Sequence, residues 1–74
     1  MNNLLRMETI TAATSSVTYY GYALLNSSEN ASAWLLQRDT ITISGATTLK
    51  KIEFVSGGTA YNCTWTDRAS YGYW

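Results

Sequence analysis

The chain has no histidine and only one cysteine, Cys63. A single cysteine excludes an internal disulfide. Without histidine it cannot complete a closed Cys/His zinc site, and neither it nor any serine has the usual imidazole base. Charge is equally scarce. Five basic and five acidic residues give a formal net charge of zero, and the longest block of one sign is Lys50-Lys51. Binding to nucleic acid by counterion release needs a cluster of Lys and Arg, so no nucleic-acid partner is expected. No apolar run approaches the ~20 residues of a spanning helix, so no membrane is expected either. The stretch Met1-Asn2-Asn3-Leu4-Leu5-Arg6 lacks the apolar core of a secretory signal. The carboxylates Glu8, Glu29, Asp39, Glu53 and Asp67 are scattered, and a chain of 74 residues leaves little room for a water-excluding pocket. The expectation is a protein that is not an enzyme, with no catalytic residue, cofactor, metal or small-molecule substrate.

What the chain does contain is strand-forming material. Thr and Ser make up 19 of 74 residues, and nine of the ten aromatics are Tyr or Trp. Thr, Tyr, Trp, Val and Ile suit a pleated, half-buried surface. A domain this short buries only roughly 60% of its unfolded surface and usually needs a staple. With disulfide and metal excluded, association with a partner is the route that remains. A net charge of zero favours such association.

Residues 1–15 carry Leu4, Leu5, Met7 and Ile10, and the small-residue stretch Thr11 to Ser16 reads as a linker. Residues 1–15 read as an extended or short-helical arm that becomes ordered against a neighbour, ahead of a single domain over 16–74. Val17 to Ala23 alternates as a strand, and Gly21 inside it marks a bulge or a close backbone approach. A polar loop follows, from Leu24 to Ser32. Ala33 to Arg38 opens a second strand that can continue to Ile43, with a break or bulge expected near Asp39. Ser44-Gly45-Ala46 is a turn, and Thr47 to Val55 completes a hairpin with Lys50, Ile52 and Phe54 on one face. Ser56-Gly57-Gly58-Thr59 is the strongest turn signal. Tyr61, Cys63 and Trp65 then alternate with polar residues, and Tyr71 and Tyr73 share a side near the end. The pattern predicts an all-β fold, a small sandwich or barrel of four to five short strands.

Three glycosylation-type triplets, at Asn26, Asn30 and Asn62, are chance matches in a Ser/Thr-rich chain. The aromatics fit a core in which Trp34, Phe54 and Trp65 are the large fillers, with others at an interface. A carbohydrate-binding sheet is the alternative, and it would need those aromatics exposed. Asp67-Arg68 either fixes the last turn or offers its planar guanidinium to a neighbouring subunit.

Four pieces carry a resemblance. They are Tyr20-Gly21-Tyr22-Ala23, then Ala31-Ser32-Ala33-Trp34 leading into a strand with Arg38, and Ile52-Glu53-Phe54 before a glycine turn. The fourth is Asn62-x-x-Trp65-x-Asp67-Arg68-Ala69-Ser70-x-x-Tyr73. From Tyr19 onward the chain resembles small virion-associated proteins of tailed bacteriophages. Those relatives often carry an acid where Thr66 stands and an aliphatic residue where Tyr71 stands, and residues 1–15 lie outside the match. The resemblance implies a multi-copy structural part of a virion, made in the host cytoplasm and placed in the neck, the tail or as a capsid decoration. Its partners would be copies of itself and other virion proteins. Candidate interface residues are Leu4, Leu5, Met7 and Ile10 from the arm, and Tyr20 and Tyr22 from the first strand. Arg68, Tyr71, Tyr73 and Trp74 complete the set.

Overall fold

The computed structural model of the chain describes residues 2–74. Four strands follow in order: β1 (Asn2–Thr11), β2 (Ser15–Leu24), β3 (Leu35–Ser44) and β4 (Thr47–Phe54). They form one antiparallel sheet in the order β1-β2-β3-β4. A single 3-10 turn, Arg68–Ser70, is the one helical element among the described residues. The fold is all-β, as the composition indicates. Its second layer is not a sheet but an irregular C-terminal segment.

β2 and β3 take the centre of the sheet, with β1 and β4 at its edges. β3 runs unbroken through Asp39, contrary to the expected break. The carboxylate is matched in place: Gln37 Nε2 donates to Asp39 Oδ1 at 2.7 Å, and Lys50 Nζ stands 3.8 Å from Oδ2. Gly45 and Ala46 make the two-residue connection to β4. Gly45 alone has positive φ there (60°), the requirement of a type II′ hairpin turn at its first central position.

Residues 2–11 correct the arm reading. They are not a free arm but an edge strand, paired with β2 from Asn2↔Leu24 to Thr11↔Ser16. The register shifts between Leu4 and Arg6, so Leu5 is the extra residue of a β-bulge. The apolar pattern of this segment is therefore a strand's, interrupted once.

Alternation gives the sheet two faces. On one, Val17, Tyr19, Gly21 and Ala23 of β2 lie beside Leu36 and Arg38 of β3. The C-terminal segment crosses this face and is tied down at both ends. Trp34 and Cys63 exchange backbone bonds of 2.9 and 3.0 Å, and Phe54 and Trp74 do the same at 3.2 and 3.0 Å. The core is Tyr19, Ala23, Trp34, Leu36, Cys63, Trp65 and Tyr73. Trp34 and Leu36 are fully buried, each worth about 1.5–3 kcal/mol as a buried large side chain. A Cβ on Gly21 would stand 2.6 Å from Trp65 Cε3, so glycine here serves a close approach rather than a bulge. The molecule measures 42 × 22 × 20 Å. The ends of both hairpins reach beyond the core, leaving Ile10 of the first and Ile43 and Leu49 of the second exposed.

Candidate functional site: the open face of the sheet

The opposite face has no second layer. Pairing sets its rows. Leu4, Tyr22 and Leu35 form one, Met7, Tyr20, Gln37 and Phe54 the next, and Thr9, Thr18, Asp39 and Ile52 a third. Ser16, Ile41 and Lys50 follow, and Ile43 lies nearest the β3–β4 turn. Met7 is 63% exposed, Ile52 54%, Ile43 50% and Leu4 48%. Isolated exposed hydrophobics are ordinary, but several large ones on one uncovered face, to either side of a polar row, make it a candidate interaction surface.

A polar chain crosses this face and is closed within the molecule. Tyr22 OH approaches Gln37 Oε1 at 3.5 Å, Gln37 donates to Asp39, and Asp39 faces Lys50. Asp39 is buried even though its face is uncovered, because these neighbours close over it. Among the described residues, one carboxylate and one ammonium leave the face without net charge. At its β1–β2 turn end lies a recess of about 250 Å³, lined by Thr11, Ala12, Ala13, Ser15, Ser16, Ile41 and Ile43. A larger recess of about 440 Å³ lies on the other face of the β3–β4 hairpin, lined by Arg38, Thr40, Thr42, Leu49, Lys50, Lys51 and Glu53. Arg38 there donates to Glu53 at 2.8 Å and stacks over Tyr73.

The ten candidate interface residues separate into two groups. Leu4, Met7, Tyr20 and Tyr22 belong to the open face. Leu5, in the bulge, packs against the core. Ile10 sits on the other side, exposed beyond the end of the C-terminal cover. Arg68, Tyr71 and Tyr73 are used inside the molecule. Arg68 donates to both Glu8 oxygens at 3.0 and 2.9 Å and to the Trp65 carbonyl at 3.1 Å, with its guanidinium over the Trp65 ring. Tyr71 OH accepts from Thr64 N, and Tyr73 OH donates to the Arg68 carbonyl at 2.7 Å. Trp74 is exposed and leans on Gly57 and Gly72. Asp67 makes no side-chain cap; it accepts from Thr64 Oγ1 at 2.9 Å and so braces the turn. Six large apolar residues of the open face lie outside that set: Leu24, Leu35, Ile41, Ile43, Ile52 and Phe54, the last of them expected as a core filler but placed on this face. Their signal was present as the alternation of Ile41, Ile43 and Ile52 with polar neighbours.

The electrostatics are structural. Hydrogen bonds from Arg68 hold the Glu8 carboxyl below its ordinary range, against a smaller opposing effect of burial. Arg38 acts in the same direction on Glu53. Burial pushes the Cys63 thiol up, so it stays protonated and a poor nucleophile. Burial also raises Tyr73 well above the usual phenol range. Among the described residues no three His, Cys, Asp or Glu groups gather as a metal site, and no helix is long and apolar enough to cross a membrane. No family model matches the chain, and comparison with curated proteins and with solved structures found no match.

Proposed function

We propose that this chain is a multi-copy structural component of a tailed-bacteriophage virion, built into the neck or tail or onto the capsid. The observation that carries the assembly role is the contrast between two faces of one small sheet. One is sealed across its centre by the C-terminal segment, with Ile10 and Leu49 exposed beyond it, and the other presents Leu4, Met7, Ile43 and Ile52 to solvent. The virion setting rests on the sequence resemblance from Tyr19 onward. Trp34, Trp65, Arg68 and Tyr73 are among the residues that carry that resemblance, and here they build the core and its brace. They would fix the shape of the module while the open face and the edge strands meet neighbours. The carbohydrate alternative loses part of its platform, because Tyr19, Trp34, Trp65 and Tyr73 are buried, whereas Tyr61 and Trp74 remain exposed.

The test is quantitative mass spectrometry of purified particles of the virus that encodes this sequence, followed by a density map of the particle. The chain is expected in a fixed multiple of copies, at a position with rotational or icosahedral symmetry. Particles that contain none of it would overturn the proposal.

A further inference from the structure

We infer that the open face is an isologous interface, covered in the assembled state by the same face of a second copy of this chain. The inference rests on the assembly reading above and supplies its partner.

Three observations favour a second copy over an unrelated protein. The first is charge. A strongly charged partner would find nothing to pair with on this face, since Asp39 and Lys50 already face each other at 3.8 Å. Two copies of a chain with zero net charge meet without long-range repulsion. The polar groups at the centre, Tyr22, Gln37 and Asp39, already have partners within the molecule. Covering them with an apolar surface leaves none of them stranded.

The second is shape. A two-fold interface is self-complementary, so every projection must have its recess on the same surface. Met7 and Leu4 project from one end of the face. The recess of about 250 Å³ between the β1–β2 turn and Ile41 and Ile43 lies toward the other end. A two-fold axis across the strands, between the facing sheets, carries each Met7 toward the partner's recess. It does so twice, once from each copy.

The third is size. Four strands about 4.8 Å apart and eight to ten residues long present a footprint of about 600 Å². Two such faces give a total on the order of 1,200 Å², the lower end of the range for specific interfaces. Aligned sheet packing brings two faces to about 10 Å, which side chains such as Met7, Tyr20 and Ile52 span. The dimer is then a β-sandwich whose outer layers are the two C-terminal segments.

Sedimentation of the full chain tests the inference. A monomer–dimer equilibrium is expected in the micromolar range. Met7→Glu and Ile52→Glu should each weaken it on the order of tenfold or more, because a carboxylate is driven into an apolar contact. Ile10→Glu and Leu49→Glu, on the other face, should leave it unchanged. Near-ultraviolet circular dichroism of the Trp34–Trp65 core confirms that each variant is folded. The double variant Met7→Cys with Thr11→Cys provides a check that does not depend on destabilisation. Those positions lie ~13 Å apart along one strand, too far to bridge within a copy. Oxidation should therefore link two copies, and peptide mapping should find position 7 joined to position 11. A chain that stays monomeric at millimolar concentration overturns the inference. So does a dimer dissociated by the Ile10 and Leu49 variants but not by the Met7 and Ile52 variants. Either result leaves the virion reading standing if particles contain the chain, whereas particles without it leave the dimer to be judged by sedimentation alone.

Discussion

The two faces of this sheet are made from the same strands and nearly the same residue types, yet one is a core and the other a surface. β2 contributes Tyr19, Gly21 and Ala23 to the first, and Thr18, Tyr20 and Tyr22 to the second. Period-2 alternation alone would not say which is inside. The difference is made by the C-terminal segment, which brings Cys63, Trp65 and Tyr73 to one face and closes backbone bonds at Trp34 and Phe54. Small residues at Gly21 and Ala23 make the room that Trp65 fills. On the other face Tyr20 and Tyr22 take the equivalent places, and no ring could settle flat against the backbone there. Sealing is therefore written as a size pattern, small under large, rather than as hydrophobicity.

Substitutions on the sealed face should break the fold. Trp34→Ala is the most severe, since its ring is fully buried and its Nε1 donates to the Ser28 carbonyl at 2.9 Å. A loss of about 3–5 kcal/mol is expected for such a truncation. A domain of this size has a total stability of about 4–11 kcal/mol. Urea titration should show a chain that is largely unfolded or melts at low denaturant. Gly21→Ala comes next. The added methyl would overlap Trp65 Cε3 at 2.6 Å and touch Trp34 Cε3 at 3.0 Å, which calls for about 1–3 kcal/mol of overpacking. The reduced freedom of the unfolded chain offsets about 0.4–1 kcal/mol of it. The same titration should give a net loss, and a gain in stability would mean that Trp65 can step aside.

Arg68→Ala should cost less than Trp34→Ala and should carry a signature in pH. The guanidinium stacks on Trp65 and bonds its carbonyl, contributions of about 0.5–1 kcal/mol and about 1 kcal/mol for groups in this position. Its hold on Glu8 adds an acid limb. The folded-state value of Glu8 is depressed, so its contribution is present above the unfolded value near 4.5 and fades as pH falls through the folded value. Thermal melts of the wild type between pH 7 and 3 should decline below about pH 4.5. In Arg68→Ala that decline should be shallower, with the remainder due to Glu53 beside Arg38. Identical acid limbs in the two proteins would mean that the Glu8–Arg68 pair contributes nothing to folding.

Much of the sealed face was legible in the sequence. The strand from Val17, the Gly45 hairpin and the alternation of Cys63 with Trp65 could be read because each follows one period or one turn rule. The N-terminal strand could not. Leu4 and Met7 share a face at a spacing of three, which no strand template allows, because the bulge at Leu5 inserts a residue between them. Asp39 misled for a different reason. A strand from Ala33 to Ile43 exceeds the common length and argues for a break, but β3 starts only at Leu35 and runs through Asp39, with Lys50 of β4 beside it. The division of the interface candidates had the same cause. Arg68 and Tyr73 were exposed in principle and are spent on Glu8 and on each other only once the chain has folded back.

The smallest effect should come from the open face, and it is the sharpest test of the comparison. Ile52 is 54% exposed in the isolated chain and lies in a row with Thr9, Thr18 and Asp39. Ile52→Thr keeps the β-branched shape, so strand propensity changes little. Surface changes of this kind usually stay within about 0.5 kcal/mol. Urea titration at nanomolar concentration, where any dimer is dissociated, should find the variant as stable as the wild type within that margin. At high concentration the curves should separate. Binding between folded copies adds stability by mass action to the wild type, and the variant forfeits part of it. A stability gap that appears only at high concentration means that the face is idle within one copy and needed between two. A gap as large at nanomolar as at high concentration would place Ile52 in the chain's own core, and the two faces would then not differ in the way the fold implies.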